Sequence, residues 1–420
     1  MVHPAIKENS LHIIFSRRML VAFIMGFSCG LPLLLTMGVL QAWMKDEGID
    51  LTLIGLINLV QIPYTWKFLW APIMDRYTLP FLGRRRGWLL IAQLALIGSI
   101  IGLGFSNPAN HFWMMVIMAM LVAFFSATQD IIVDAYRRED LSDRELGLGS
   151  SLYISGYRLG QMLAAGGGLI MADHIPWSMV YLVMAMFMLI GVIVTIIAPE
   201  PIISTETPGT IKDAVIEPFV EYFKRRDALW MLAFILLYKI GDNMVSGITI
   251  PFFLEIGFTK TQIGAVVKIF GMWAIVLGAL VGGTIMIRLG INRSLWVFGF
   301  LQAISSACFA ILAQIGPSIP ALSAVIAFEN ISMGMGSAAQ LAFMASITDK
   351  KFTATQYALL SSLAAIPRVI ASAPTGYIAK HIGWETFFIM CALIAIPGML
   401  LLLKFAPWNS GEAVVNNVNK

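Results

Sequence analysis

The chain has 420 residues, of which 58% are hydrophobic and only 12% charged, with a mean hydropathy of +0.81. A soluble domain averages about 45–50% apolar and about 25% charged residues, so a soluble globule is excluded. The net charge of +4 is not read as a nucleic-acid signal, because the basic residues mark something else, described below.

A membrane-spanning helix needs roughly 20 apolar residues, and such runs recur along the chain. Six fall near 19–44, 53–74, 88–105, 112–136, 146–172 and 177–198. After a polar stretch, six more follow near 229–254, 261–287, 294–314, 319–347, 353–379 and 384–405. The runs are unbroken, whereas a membrane β-barrel alternates apolar and polar residues. The expected class is therefore an all-α membrane protein with twelve spans. Arg17 and Arg18 precede a first run, Met19 to Met44, that is too long for a signal h-region and is followed by no small-residue cleavage site. A retained first span is expected.

Cytoplasmic loops carry excess Lys and Arg. The N-terminal tail, the 2–3, 4–5, 6–7, 8–9 and 10–11 loops and the C-terminal tail hold 20 of the 28 basic residues. The opposite loops hold three, Lys45, Lys260 and Lys380. Both termini are expected in the cytoplasm.

The two halves repeat. Gly48 to Gly55 (GIDLTLIG) recurs as Gly257 to Gly264 (GFTKTQIG), and Ser126-Ala127-Thr128-Gln129 as Ser337-Ala338-Ala339-Gln340. Arg158 recurs as Arg368, each after a Ser-Ser pair, and His174-Ile175-Pro176-Trp177 as His381-Ile382-Gly383-Trp384. All four offsets lie between 207 and 211 residues, half the chain. The organisation read from this is a six-helix bundle over 1–199, a cytoplasmic linker over 200–228 and a second six-helix bundle over 229–420. Parallel six-helix repeats are the plan of the major facilitator fold. The loops agree with it: Asp75-Arg76 with Arg84, Arg85 and Arg86 lies in the 2–3 loop, and Arg288 with Arg293 in the 8–9 loop. Both are expected to latch the cytoplasmic face, with Lys67 beside them as a gate residue.

Three stretches narrow the family. They are Gly26-Phe27-Ser28-Cys29-Gly30-Leu31-Pro32 leading into Leu40-Gln41-Ala42-Trp43-Met44; Lys67-Phe68-Leu69-Trp70-Ala71-Pro72-Ile73-Met74-Asp75-Arg76 leading into Gly83-Arg84-Arg85-Arg86; and Ser126 to Ala135 (SATQDIIVDA). Together they resemble the AmpG-type muropeptide permeases, relatives of the acetyl-CoA transporters. The resemblance spans the chain and is densest over 26–90 and 126–160. It implies proton-driven import of anhydro-muropeptides (GlcNAc-1,6-anhydro-MurNAc peptides) across a bacterial inner membrane for cell-wall recycling, by a monomer bathed in lipid. A carrier for another bulky anion such as acetyl-CoA, a drug antiporter and a non-transporting sensor remain alternatives. Helix 4 lacks the arginine that many proton-coupled members of the superfamily use, which leaves the coupling residue open.

No G-x-x-x-x-G-K-[ST] sequence is present, so direct ATP use is not expected. The three cysteines, Cys29, Cys308 and Cys391, sit in apolar runs, no cluster has metal-ligand spacing, and no nucleophilic triad is apparent. No cofactor, metal or enzymatic activity is expected.

Charge inside the bilayer costs roughly 2.5–3.5 kcal/mol per residue on insertion scales, so ionisable residues within spans must face a wet cavity or each other. Asp130 and Asp134 share one face of helix 4, and their repeat counterparts are Leu341 and Ala345. Asp130, Asp134 and Glu329 are the candidates for carrying a proton. Arg158 and Arg368 offer planar donor forks to substrate carboxylates, or pair internally. Lys239 and Asp242, three apart, are expected to pair, and Lys268 is expected to meet Glu329. Asp134 is expected to meet Arg137 or Arg138. Sugar recognition is assigned to Gln41 with Trp43, Gln61 with Tyr64, Gln129, Tyr153 with Tyr157, and Gln340. Asp130, Arg158, Lys239, Asp242, Lys268 and Arg368 complete the substrate candidates. Gly166-Gly167-Gly168 and Gly282-Gly283 are read as close-packing sites.

Overall fold

A computed structural model describes residues 16–49, 53, 57–201, 211–225, 227–371 and 374–408. Among these, eight stretches are each long and apolar enough to cross a membrane. They supply α1 (Arg17–Leu35 and Gly38–Asp46), α3 (Arg84–Gly104), α4 (Phe112–Asp140), α6 (Trp177–Ile197), α7 (Ala228–Leu237 and Ile240–Glu255), α10 (Ile319–Ser346) and α12 (Trp384–Leu400 and Leu402–Phe405). The eighth runs through Gly271–Ile315 but reverses at Gly290, whose φ of 74° only glycine adopts freely. It is two spans, α8 before Gly290 and α9 after it.

The remaining three spans are interrupted helices. α2 is pieced from Ile57–Gln61, Ile62–Trp66, Lys67–Leu69 and Ala71–Arg76, with Pro63 and Pro72 opening segments where no N–H is missed. α5 runs Leu146–Met162, Leu163–Gly167 and Gly168–Ala172, its middle wound as a π-helix over the glycine run. α11 is Thr353–Ile370 and Thr375–Ile382, with Pro367 and Pro374 at its break. Twelve spans in two sets of six result, joined by a linker helix, Ile211–Lys224.

The repeat is visible in the backbone. Gly48 ends α1 with φ 73° and Gly257 ends α7 with φ 104°. In both, the next residue reaches back five positions: Ile49 N donates to Met44 O at 2.9 Å and Phe258 N to Phe253 O at 2.9 Å. The same glycine-capped helix end thus recurs at equivalent places in each half.

α1 and α5 cross at backbone contact. A Cβ on Gly26 would lie 2.1 Å from Tyr153 O, and one on Gly156 would lie 1.9 Å from Phe23 O. Gly30 and Gly160 repeat this one turn on, against Tyr157 O and Phe27 O. Gly282 and Gly283 are close-packing sites as expected, against Met335 of α10 and Ser151 of α5. Gly166 is not: nothing lies within 4 Å of its would-be Cβ. That glycine run ends the π segment instead, with Gly168 in ordinary contact with Met184.

Apolar packing divides into three clusters. One unites both halves, joining Met19, Met74, Leu146 and Tyr153 to Phe234, Phe343, Tyr357 and Leu360. The other two are confined to one half each, around Leu103, Met115 and Tyr181, and around Phe252, Phe309 and Phe388. The shared core lies at the end where α1 begins and α4 and α6 finish, tied by Arg17 to Ile197 O and Arg18 to Asp140. This basic end is shut. At the far end the halves keep separate cores.

Candidate functional site

The basic end is closed by Asp75, the last acid of α2. Its carboxylate is fully buried and accepts from Ala354 N (3.2 Å), Thr355 N (2.8 Å) and Thr355 Oγ1 (2.8 Å). These are the free N–H groups that begin α11, so a first-half anion sits on a second-half helix N-terminus. Arg85 Nη2 donates at 2.7 Å to Asp75 Oδ1, the oxygen that also accepts from Ala354 N, and Arg85 Nε holds Glu139 of α4 at 2.9 Å. Arg84 Nη2 reaches the same Glu139 at 3.0 Å. Glu200 caps α3 through Arg85 N (2.7 Å) and Arg86 N (3.1 Å), and Gly83 leaves room for it: φ is 86° and a Cβ would fall 2.7 Å from the Glu200 side chain.

Arg86 does not cross between halves. It donates to Thr195 O (2.8 Å) and Ile196 O, fastening the end of α6. Arg76 lies against the Tyr77 ring. The latch expected in the 8–9 loop is absent among the described residues: Arg293 donates to Trp408 O at 3.1 Å, within its own half, and Arg288 is exposed. Of these two loops, only the first-half one makes a polar bridge across the interface among the described residues.

A second bridge lies one level deeper. Arg137 Nη2 donates to Tyr357 OH at 2.7 Å across the interface and to Asp134 at 3.1 Å within α4, and its guanidinium stacks 4.4 Å from the Tyr153 ring. Asp134 therefore takes Arg137, while Arg138 goes to Asp143 at 2.8 Å.

Asp130, one turn earlier on α4, makes no ion pair among the described residues and has the Cys29 thiol beside it. It is 7% exposed, and its Oδ1 is buried without a hydrogen bond among the described residues. Lys67 of α2, itself buried, is the cation close enough to act on both Asp130 and Asp134. Ser126 Oγ and Tyr64 OH, facing the same region, are also buried and lie close enough to each other to interact. Buried polar groups this concentrated are costly in a dry interior unless they are paired.

In the second half, α7 breaks at Tyr238–Lys239, and the break turns Lys239 inward. Lys239 Nζ lies 3.2 Å from Asp242 and 3.3 Å from Met333 O of α10. Gln302 of α9 donates to Asp242 at 2.6 Å. Glu329 of α10 is half-buried, near enough to Lys239 and Asp242 to feel both charges. Arg158 of α5 donates to Gln161 at 2.9 Å, and its charge acts on Lys239 from the other half. Arg158 and the Lys239 cluster are thus neighbours across the centre.

Several expected contacts do not form. Lys268 is exposed and makes no ion pair with Glu329. Trp43 is buried against Trp177 and Tyr181 at the far end, not free for a sugar. Gln61 donates to Thr36 Oγ1 at 2.7 Å, bracing the break in α1, and Gln41 is half-buried on the segment beyond it. Gln129 and Gln340 are used alike: Gln129 donates to Cys29 of α1 at 3.4 Å, Gln340 to Ile235 O of α7 at 3.2 Å. Each ties the fourth helix of its half to the first, which explains their match in the repeat. The side chain of Arg368 lies outside the described residues.

Gln302 was missed. Its signal was available, an amide in an otherwise apolar span, with Gly336 opposite: a Cβ there would lie 2.4 Å from Gln302 Oε1.

The Major Facilitator Superfamily profile matches residues 19–372 and 239–415. The anhydromuropeptide permease of Escherichia coli K12 is 41% identical over 94% of this chain and 81% of its own length. A protein of Haemophilus influenzae is 41% identical over 94% of this chain and 96% of its own. The chain belongs to the AmpG-type permease family of the Major Facilitator Superfamily. Among solved structures, the proton:xylose symporter XylE superposes with a TM-score of 0.73 at 13% identity, covering 95% of this chain and 97% of that one, which bears on the fold alone. This AmpG-type permease is accordingly a multi-pass membrane transporter and not an enzyme. Its buried charges gather between the halves, which meet directly at the basic end.

Proposed function

We propose that this permease imports anhydro-muropeptides from the periplasm to the cytoplasm of a bacterial inner membrane, as a proton-coupled monomer with both termini cytoplasmic. The observation that carries the substrate class is the 41% identity, across 94% of the chain, to an anhydromuropeptide permease. The charge layout supports it. A muropeptide is large, carries stem-peptide carboxylates and an amino group, and offers sugar hydroxyls. Arg158 and Lys239, near each other at the bundle interface, suit the carboxylates. Asp242, Glu329 and Gln302 suit the amine and hydroxyls.

The bundles over 1–199 and 229–420 rock about this centre, joined by the linker over 200–228. The shut basic end corresponds to the state that receives substrate from the periplasm. Asp130 carries the coupling proton: it is buried, beside one lysine, with an oxygen unsatisfied. Proton arrival at Asp130 weakens its hold on Lys67, and Asp134 and Arg137 lie one turn away, on the bridge to Tyr357. Asp75, Arg84 and Arg85 form the outer latch, with Arg86 and Arg76 fixing the loop that carries it.

The test is uptake of labelled anhydro-muropeptide into membrane vesicles with and without an imposed proton gradient. Gradient-stimulated uptake that Asp130→Asn loses supports the reading. Equal uptake in both conditions removes the coupling, and competition by acetyl-CoA but not by muropeptide removes the substrate.

A further inference from the structure

The linker helix Ile211–Lys224 is amphipathic in three sectors rather than two. Successive residues turn by about 100° in a helix, so Ile216, Val220 and Phe223 fall within about 60° of one another. They are 47%, 42% and 50% exposed, respectively, and form a contiguous exposed apolar face. Glu217 and Lys224, next around the helix, are exposed and polar. The third sector, Pro218 and Tyr222, is buried against the protein, with Tyr222 at 0%.

That buried sector touches both halves. The helix packs on the end of α2 and on the start of α11. Gln356 of α11 donates to Pro218 O at 3.1 Å and to Glu221, Arg225 donates to Ile347 O, and Lys351 lies 3.3 Å from Glu217. The helix is a strap under the shut end, beside the Asp75 latch.

We infer that Ile216, Val220 and Phe223 lie in the boundary between lipid headgroups and acyl chains, so that the strap is anchored in the membrane surface. The occupant is lipid because the patch continues into the lipid-facing surface of the spans. α7 begins at Ala228, only a short turn beyond the linker helix, and its Leu229 and Trp230 are 70% and 44% exposed. Lys404 of α12 stacks 4.5 Å over Trp230, and neighbouring Leu403 is 59% exposed. A helix lying in the plane of the interface buries its apolar face about 5–10 Å into the headgroup boundary and keeps its polar flank in water, which is the division between Val220 and Lys224 here.

The experiment places an environment-sensitive fluorophore at Val220→Cys or Lys224→Cys in the full-length protein, reconstituted in phosphatidylcholine vesicles. Unsubstituted protein serves as the background for Cys308. Brominated phosphatidylcholine is expected to lower emission at 220 about twofold more than at 224, and iodide on both sides to do the reverse, given that insertion depth. Equal iodide quenching at the two sites overturns the inference by placing both in water. Failure of both quenchers at 220 overturns it as well, since a protein segment then covers the face.

Discussion

Replacing Asp75 by Asn removes one negative charge from a fully buried site. The carboxylate accepts two backbone N–H bonds and one hydroxyl bond from the start of α11, at 2.8–3.2 Å, besides its pair with Arg85. A hydrogen bond to a charged group contributes about 1.5–3 kcal/mol. An amide keeps one acceptor oxygen but turns an NH2 toward donors, so at least one α11 bond is lost and the others weaken. About 3 kcal/mol of closure is forfeited, and 1.4 kcal/mol is a factor of ten, so the shut-to-open ratio at the basic end falls roughly a hundredfold. Arg85 keeps Glu139, so the first-half loop itself should hold its shape. The assay is alkylation of Ala358→Cys, 1% exposed in the shut state, by an impermeant maleimide applied to the basic-loop side. Asp75→Asn should accelerate labelling by about two orders of magnitude in protein that remains folded. Unchanged labelling would refute the assignment of Asp75 to closure.

Two further expectations follow from contacts already described. Gly156→Val forces a Cβ to within 1.9 Å of Phe23 O, parting α1 from α5, whereas Gly166→Ala meets nothing within 4 Å; thermal unfolding in detergent should show the first variant destabilised by more than about 3 kcal/mol, the scale of severe overpacking, and the second near wild type. Gln302→Leu strips Asp242 of its 2.6 Å donor, and loss of a hydrogen bond to a charged group, about 1.5–3 kcal/mol, should raise the KM for uptake by roughly tenfold or more, with protein abundance at the membrane unchanged.

The twelve spans and the two-part plan were legible because they rest on composition and periodicity, which neighbours cannot alter. Even the interrupted spans had their cause in view, in Pro63, Pro72, Pro367 and Pro374 and the glycines of α5. The ion pairs within one helix were legible too, since Lys239 with Asp242 and Asp134 with Arg137 need only a spacing of three. Pairings between helices were not. Lys268 and Glu329 share a depth, but rotation about each helix axis sends Lys268 outward and Glu329 toward Lys239. The glutamines misled for the opposite reason: polar residues in oil satisfied helix-to-helix ties rather than a ligand. Arg137 read as a loop-end charge, because nothing in its own segment announces Tyr357, 220 residues away.

The most direct measurement is concentration-dependent flux of labelled anhydro-muropeptide into liposomes holding only the purified protein. Wild type should show saturable uptake, and Arg158→Ala with Lys239→Ala should abolish it while both variants remain folded. Uptake no greater than in protein-free liposomes, or uptake untouched by losing both cations, would contradict the central claim that a charged passage between the two halves carries this solute.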